Sequence, residues 1–209
     1  NNFQEIKNIY TKVSKYILLI NIPIFLIFSL FSKELILLLF GQEYIAAAIP
    51  LVILSVGYLI YSLSDISMSL LSIFKKTKTI FFIITIFSLI DIILNYFLIP
   101  KYGLIGASIA TSFSFLICSI LMIPISYYYS KLHPFMFRIP KILISLITTF
   151  LLVLLTKTYV IFSNKIINIA FLILATLLIY FLSLKLLKIL DKEDLEILKE
   201  IKNKMFKQL

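Results

Sequence analysis

Six apolar runs, most near the twenty or so residues that cross ~30 Å of hydrocarbon, divide this chain and constrain its fold more than anything else in it. They extend from about Tyr16 to Phe31, prolonged by Leu35–Phe40 after a Ser-Lys-Glu break, then Ala46 to Phe74, Ile80 to Ile99, Leu104 to Tyr127, Ile142 to Leu155 and Ile166 to Leu187. Within lipid every backbone N–H and C=O must find a partner inside the segment, and long unalternating runs suit no barrel strand, so each run predicts a helix. Apolar residues make up 61% of the 209 and charged residues only 14%, against roughly half and a quarter in a soluble domain. A soluble enzyme is excluded, and the expected fold class is an all-α integral membrane protein with six transmembrane helices.

Basic residues orient the spans. With the N-terminus cytoplasmic, the inner segments hold Lys7, Lys12, Lys15, Lys75, Lys76, Lys78, Lys131, Arg138, Lys141, Lys185, Lys188, Lys192, Lys199, Lys202, Lys204 and Lys207. Only Lys33, Lys101, Lys157 and Lys165 of the 20 lie outside, so the positive-inside rule puts both termini in the cytoplasm. The net charge of +10 is therefore a topology signal, and no nucleic-acid partner is expected. Tyr127-Tyr128-Tyr129 before a basic loop suits an interfacial aromatic belt. After the last span, Asp191 can cap a helix with Asp194 three residues on, and Leu195, Leu198, Ile201 and Met205 recur at helical spacing. This tail, 191–209, reads either as an amphipathic helix on an anionic leaflet or as a solvated helix packed on its own loops.

A single cysteine, Cys118, excludes an internal disulfide and a cysteine metal cluster, and a single histidine, His133, excludes a multi-histidine metal site. No catalytic residue, metal or cofactor is expected. The chain opens on Asn1-Asn2 with polar residues and no signal-peptide pattern, which reads as a piece of something longer.

The most distinctive stretch runs from Leu94 to Thr111. Pro100 lacks an amide donor and pushes Ile99 out of the helical region, so the third span should stop there; Gly103 lets the chain turn back. Gly106 and Ala110 form a small-xxx-small pair that admits close helix approach. Together they predict a tight extracellular hairpin. Its order, Asn-x-x-Leu-Ile-Pro-x-Tyr-Gly-x-x-Gly-Ala-x-x-Ala-Thr, resembles the pattern of polysaccharide and oligosaccharidyl-lipid flippases, within the multidrug/oligosaccharidyl-lipid/polysaccharide exporter superfamily. Upstream, Leu39-Phe40-Gly41-Gln42-Glu43-Tyr44, followed by Ala46, Ala47 and Pro50, resembles that family's Leu-Phe-Gly-x-x-Tyr segment. The chain departs from the pattern at Phe74-Lys75-Lys76, where the family tends to carry Gly-Lys.

The resemblance implies a transporter of 12 to 14 helices in two lobes, of which this chain is the C-terminal portion. Residues 1–130 would be four helices of the second lobe, 131–190 two additional helices and 191–209 a cytoplasmic tail, with the N-terminal lobe missing. It further implies a cell-membrane flippase, not an enzyme, moving lipid-linked oligosaccharide or polysaccharide precursors by alternating access, with membrane lipids and a lipid-linked saccharide as its partners.

Eight of ten acidic residues fall in loops or ends, which leaves Asp65 and Asp91 in hydrocarbon. A carboxylate near the bilayer centre costs at least ~2.5 kcal/mol and is a functional hypothesis by default. The second and third spans turn near residues 76–77, which sets Asp65 and Asp91 about 4–5 Å apart in depth, with Asn95 one turn from Asp91. One reading is a pair that binds H+ or Na+ and couples transport to an ion gradient; the other is two neutral acids satisfied by Ser62, Ser64, Ser67, Ser69 or Asn95. Ser108, Thr111, Ser112 and Ser114 of the fourth span are candidates to line a polar path, or are helix-contact glue. For a substrate diphosphate the only cations to name are Lys12 and Lys15 at the cytoplasmic mouth, which also suit ordinary positive-inside anchoring. Pro23, Pro124 and Gly57 are candidate kink or contact points.

A cation-coupled multidrug exporter of the same superfamily and a non-transporting membrane scaffold are the competing functions. A membrane-embedded glycosyl or prenyl transferase would want clustered acids holding Mg²⁺ beside a pyrophosphate, whereas Asp65 and Asp91 are isolated and deep.

Overall fold

The computed structural model describes residues 2–133, 139–159, 165–190 and 194, so the tail beyond Asp194 and the Pro134 and Arg138 loop positions lie outside the described residues. Six α-helices follow one another: α1 (Asn2–Leu30), α2 (Ser32–Leu39), α3 (Ala48–Ile73), α4 (Thr77–Ser130), α5 (Ile139–Tyr159) and α6 (Lys165–Leu186). A 3₁₀ turn, Gln42–Ala47, leads into α3. The break at Phe31 divides α2 from α1, so the predicted prolongation is a separate short helix at the outer end.

The 54 residues of α4 would measure roughly 80 Å if straight, far beyond one bilayer crossing. They double back instead. Gly103, at φ 57 and ψ −130, is the only residue inside α4 with non-helical dihedrals, and only glycine enters that region without strain. Beyond it Gly106 returns so closely that a side-chain carbon there would press on the Leu98 carbonyl, eight residues back. Phe87 stacks on Phe115 at 5.8 Å, which fixes an outgoing arm, 77–102, against a returning arm, 104–130. Among the described residues five of the six helices are long and apolar enough to cross a membrane, and because α4 doubles back they supply six spans of a multi-pass membrane protein.

Pro100 does not end its helix. Helical geometry runs through it to Tyr102, because the ring already holds a helical φ and only its own amide bond is lost in the last turn. Helices α1 and α4 likewise continue through Pro23 and Pro124.

Helix α1 is the hub. Its residues Tyr10, Ser14, Leu18, Ile22, Leu26 and Leu30, four apart, are buried in one stripe. Tyr10 and Leu18 pack with Leu63, Ile66 and Leu70 of α3. Ile22 and Leu26 pack with Ile142, Tyr180 and Leu184 of the α5–α6 hairpin, and Leu30 and Phe31 with Val153 and Leu172. Both arms of α4 then pack on the other side of α3 through Leu71, Ile80, Ile83, Cys118 and Met122.

Polar contacts group together the helix ends that the lysines assign to each side. Lys76 lies over the Tyr129 ring, Lys15 pairs with Asp194, and Lys141 Nζ donates to the Leu187 carbonyl, all at the cytoplasmic end. At the outer end Lys157 pairs with Glu34 at 2.7 Å and donates to the Leu30 carbonyl, capping the C-terminus of α1.

Three cytoplasmic helix ends finish on a lysine in the left-handed region: Lys75 (φ 57), Lys131 (φ 56) and Lys188 (φ 50). After α3, Lys76 N–H bonds to Leu71 O and Lys75 N–H to Ser72 O, a Schellman closure that normally uses glycine. Lysine there gives up about 1 kcal/mol of backbone energy but sets a cation on the helix C-terminus and the inner membrane face. Lys75→Gly should therefore raise the thermal midpoint of the detergent-solubilised full-length protein by the equivalent of about 1 kcal/mol. Gly106→Val should lower it by about 1–3 kcal/mol or abolish folding, since the Leu98 backbone cannot give way.

Candidate functional site

The polar side chains of α3 and α4 gather where these helices meet. Ser64 Oγ donates to Ser119 Oγ at 2.6 Å, and Ser112 Oγ donates to the Ile53 carbonyl at 2.9 Å. Gly57 makes room for Ser112, whose Oγ lies 2.6 Å from where a Cβ would stand. Of the four serine and threonine candidates for a polar path, Ser108 and Ser114 are buried, bonded to the carbonyls of Ile105 and Ala110. Ser112 is spent across the contact to α3, and Thr111 is half-buried beside it. Gly106 and Ala110 are both buried, and Gly106 lies against the Leu98 backbone of the outgoing arm.

The hairpin register decides what the carboxylates can do. Leu98 meets Gly106 and Phe87 meets Phe115, so residues of the two arms face each other when their numbers add to a little over 200. Asp91 thereby stands level with Thr111, with Asn95 one turn away donating its Nδ2 to the Asp91 carbonyl at 2.9 Å. Asp91 Oδ1 is buried and has no hydrogen-bond partner.

Asp65 belongs to a different level. Ser112, next to Thr111, abuts Gly57, and Asp65 is two turns further along α3, on the order of 10 Å away in depth. Its neighbours are Tyr61, one turn back, and the Cys118 thiol. The structure therefore does not join Asp65 and Asp91 into one site. The expected register assumed that each helix meets the loop symmetrically, whereas the Tyr61–Phe87 stack, at 6.3 Å, shows the outgoing arm of α4 displaced toward the outer face relative to α3.

The two lysine candidates also separate. Lys12 stands with Lys7, Asn8 and Thr11 along an open cleft of about 410 Å³ at the cytoplasmic end of α1. Lys15, only 9% exposed, makes a 2.5 Å ion pair with Asp194, whose other oxygen accepts from the Tyr16 hydroxyl at 2.6 Å. Asp194 is thus an ion-pair partner, while Asp191 and the rest of the predicted tail cap lie outside the described residues. Nothing in residue spacing could have found a contact between positions 179 apart. Among the described residues no three His, Cys, Asp or Glu side chains converge on a metal position.

No protein-family model matches the chain. Over 112 residues, 54% of the chain, it is 33% identical to an uncharacterized membrane protein of Methanocaldococcus jannaschii, of which it covers 22%. Over 121 residues, 58% of the chain, it is 28% identical to a protein of Haloferax volcanii named as a probable low-salt glycan biosynthesis flippase, of which it covers 26%. The lipid II flippase MurJ, in an inward closed conformation, superposes on 85% of the chain with a TM-score of 0.70 at 23% identity, the match covering 38% of that structure. Both named matches are flippases, in line with the resemblance of the hairpin motif to the multidrug/oligosaccharidyl-lipid/polysaccharide exporter superfamily, and the MurJ match shows the same fold. It spans about a quarter of the length of the two sequence relatives.

A buried ion pair predicts a characteristic mutational pattern. Asp194→Asn alone should destabilise the protein by about 3–5 kcal/mol, because it takes the carboxylate away from a buried ammonium. Lys15→Met combined with Asp194→Leu should cost clearly less than either single change, as read by thermal unfolding in detergent.

Proposed function

We propose that this chain is the final part of a flippase that carries a lipid-linked saccharide from the cytoplasmic to the outer leaflet of the cell membrane by alternating access. The observation that carries the reading is the superposition on the lipid II flippase over 85% of the chain, with the reversal at Gly103 in its middle. In this reading 1–130 are four helices of the second lobe, 131–190 add two helices, 191–209 form a cytoplasmic tail, and an N-terminal lobe completes the cavity. The protein is a transporter and does no covalent chemistry. Lys12, with Lys7 on the same cytoplasmic cleft, is a cation placed to meet the substrate diphosphate, while Lys15 pairs with Asp194.

Coupling to H+ or Na+ falls to Asp91, Asn95 and Thr111 in this proposal. Asp91 carries a buried oxygen without a partner inside hydrocarbon, a cost of at least ~2.5 kcal/mol that a bound cation or proton relieves. Asn95 and Thr111 add neutral oxygen donors at the same level.

Reconstituting the full-length protein in proteoliposomes with a fluorescent lipid-linked disaccharide tests both parts. Protein-dependent movement of the label to the opposite leaflet is expected, and its absence in a folded preparation would sink the flippase reading. Asp91→Asn should slow transport at least ~10-fold and flatten its dependence on the imposed Na+ or pH gradient. A variant as fast and as gradient-dependent as the parent would remove Asp91 from coupling.

A further inference from the structure

Asp65 poses a problem that the described lobe leaves unsolved. It lies eight residues, roughly 12 Å, inside the cytoplasmic end of α3, within hydrocarbon. Its side chain is half-exposed, and no cation pairs with it among the described residues. A half-exposed carboxylate at that depth is costly against lipid tails, so this face of α3 turns toward water or polar groups.

The neighbouring positions continue the pattern. Tyr58 is 57% exposed, Tyr61 brings its hydroxyl beside Asp65, and Ser69 and Ser72 are exposed one and two turns toward the cytoplasm. Residues 58, 61, 65, 69 and 72 follow helical spacing and make one continuous stripe. The remaining faces of α3 are taken: Leu63, Ile66 and Leu70 by α1, and Ser64 and Leu71 by α4. Behind the stripe Tyr61 stacks on Phe115 at 4.5 Å, and Tyr58 meets Phe115 edge-on at 5.7 Å, so the tyrosines are held in place. On the outgoing arm Phe82, Ile86, Leu89 and Ile93 form an exposed stripe that is wholly apolar, as a lipid-facing surface should be.

We propose that the Tyr58–Tyr61–Asp65–Ser69 stripe of α3 is a wall of the translocation path, and that Asp65 with the two tyrosines binds the saccharide end of the substrate. The carboxylate accepts hydrogen bonds from sugar hydroxyls, and the exposed Tyr58 ring packs against sugar C–H faces. A carboxylate repels phosphate, which fits the sugar to this level and leaves the diphosphate to the basic cytoplasmic cleft. Sugar binding rests on the flippase reading; the water-facing stripe rests on geometry alone.

Thiol labelling of the full-length protein separates these claims. With Cys118 and any other native cysteines replaced by serine, Tyr58→Cys and Ser69→Cys should react with a membrane-impermeant methanethiosulfonate at least ~10 times faster than Phe82→Cys and Ile93→Cys. Equal, slow labelling at all four positions would overturn the stripe, whatever the transport assay shows. A farnesyl-diphosphate-linked disaccharide should slow labelling at Ser69→Cys several-fold, and sugar-free farnesyl diphosphate should not. Adding Asp65→Leu should abolish that protection while leaving labelling in the absence of the probe fast. Equal protection by both probes, or protection that survives Asp65→Leu, would remove Asp65 from sugar binding. Neither result would bear on whether the protein flips lipid.

Discussion

The close return of α4 on itself is the contact from which the rest of the helix packing is measured. Hydrocarbon demands that every backbone group be paired, so a chain can reverse only where the break is short and lies near an interface. Gly103 supplies the one non-helical residue, and Gly106 lets two backbones meet without a side chain between them. Once that contact is made the register of the arms is set, and it brings Phe87 to Phe115 and Asp91 level with Thr111. Helix α3 is then keyed to the returning arm through Gly57, Ser112, Ser64 and Ser119. Between apolar helices in an apolar solvent, close backbone approach and hydroxyl bonds of this kind replace the hydrophobic effect as the source of specificity.

Charge organises the ends as packing organises the middle. Lysines close three helices at the cytoplasmic side in a conformation that usually selects glycine, so sidedness is favoured over local backbone comfort. Inside that basic rim one lysine is sequestered. Lys15 and Asp194 tie the segment after α6 to the hub helix, and Tyr180 adds a hydroxyl bond to the Leu19 carbonyl nearby. Helices α5 and α6 are thereby fastened to α1 by polar contacts as well as by their apolar seam.

Much of this could be read from residue order because membrane helices announce themselves by length and lysine placement. The six spans, their sidedness and the hairpin around Gly103 follow from local rules that lipid enforces strictly. What escaped is non-local or rotational. Pro100 looks like a terminator, but its cost is one hydrogen bond in a last turn, and the helix absorbs it. The depth of Asp65 relative to Asp91 depends on how far α4 slides along α3, which aromatic packing among Tyr61, Phe87 and Phe115 determines. The ion pair of Lys15 depends on where the chain goes after its last span, and residue spacing carries no information about that.

Separating the two carboxylates by two turns changes what each is suited to do. A buried oxygen without a partner, as at Asp91, suits a small cation that can be enclosed; a half-exposed carboxylate beside tyrosines, as at Asp65, suits a larger neutral ligand that arrives through water. Between them lies the stacked trio Tyr61, Phe87 and Phe115, with one ring on α3 and one on each arm of α4. A shift of the arms around Asp91 cannot occur without moving Phe87 and Phe115 against Tyr61, whose hydroxyl lies beside Asp65. If the proposed flippase holds a cation at Asp91 and a sugar at Asp65, this packed trio is the element through which the two occupancies would be linked, since closely packed rings respond to a shift as discrete rearrangements.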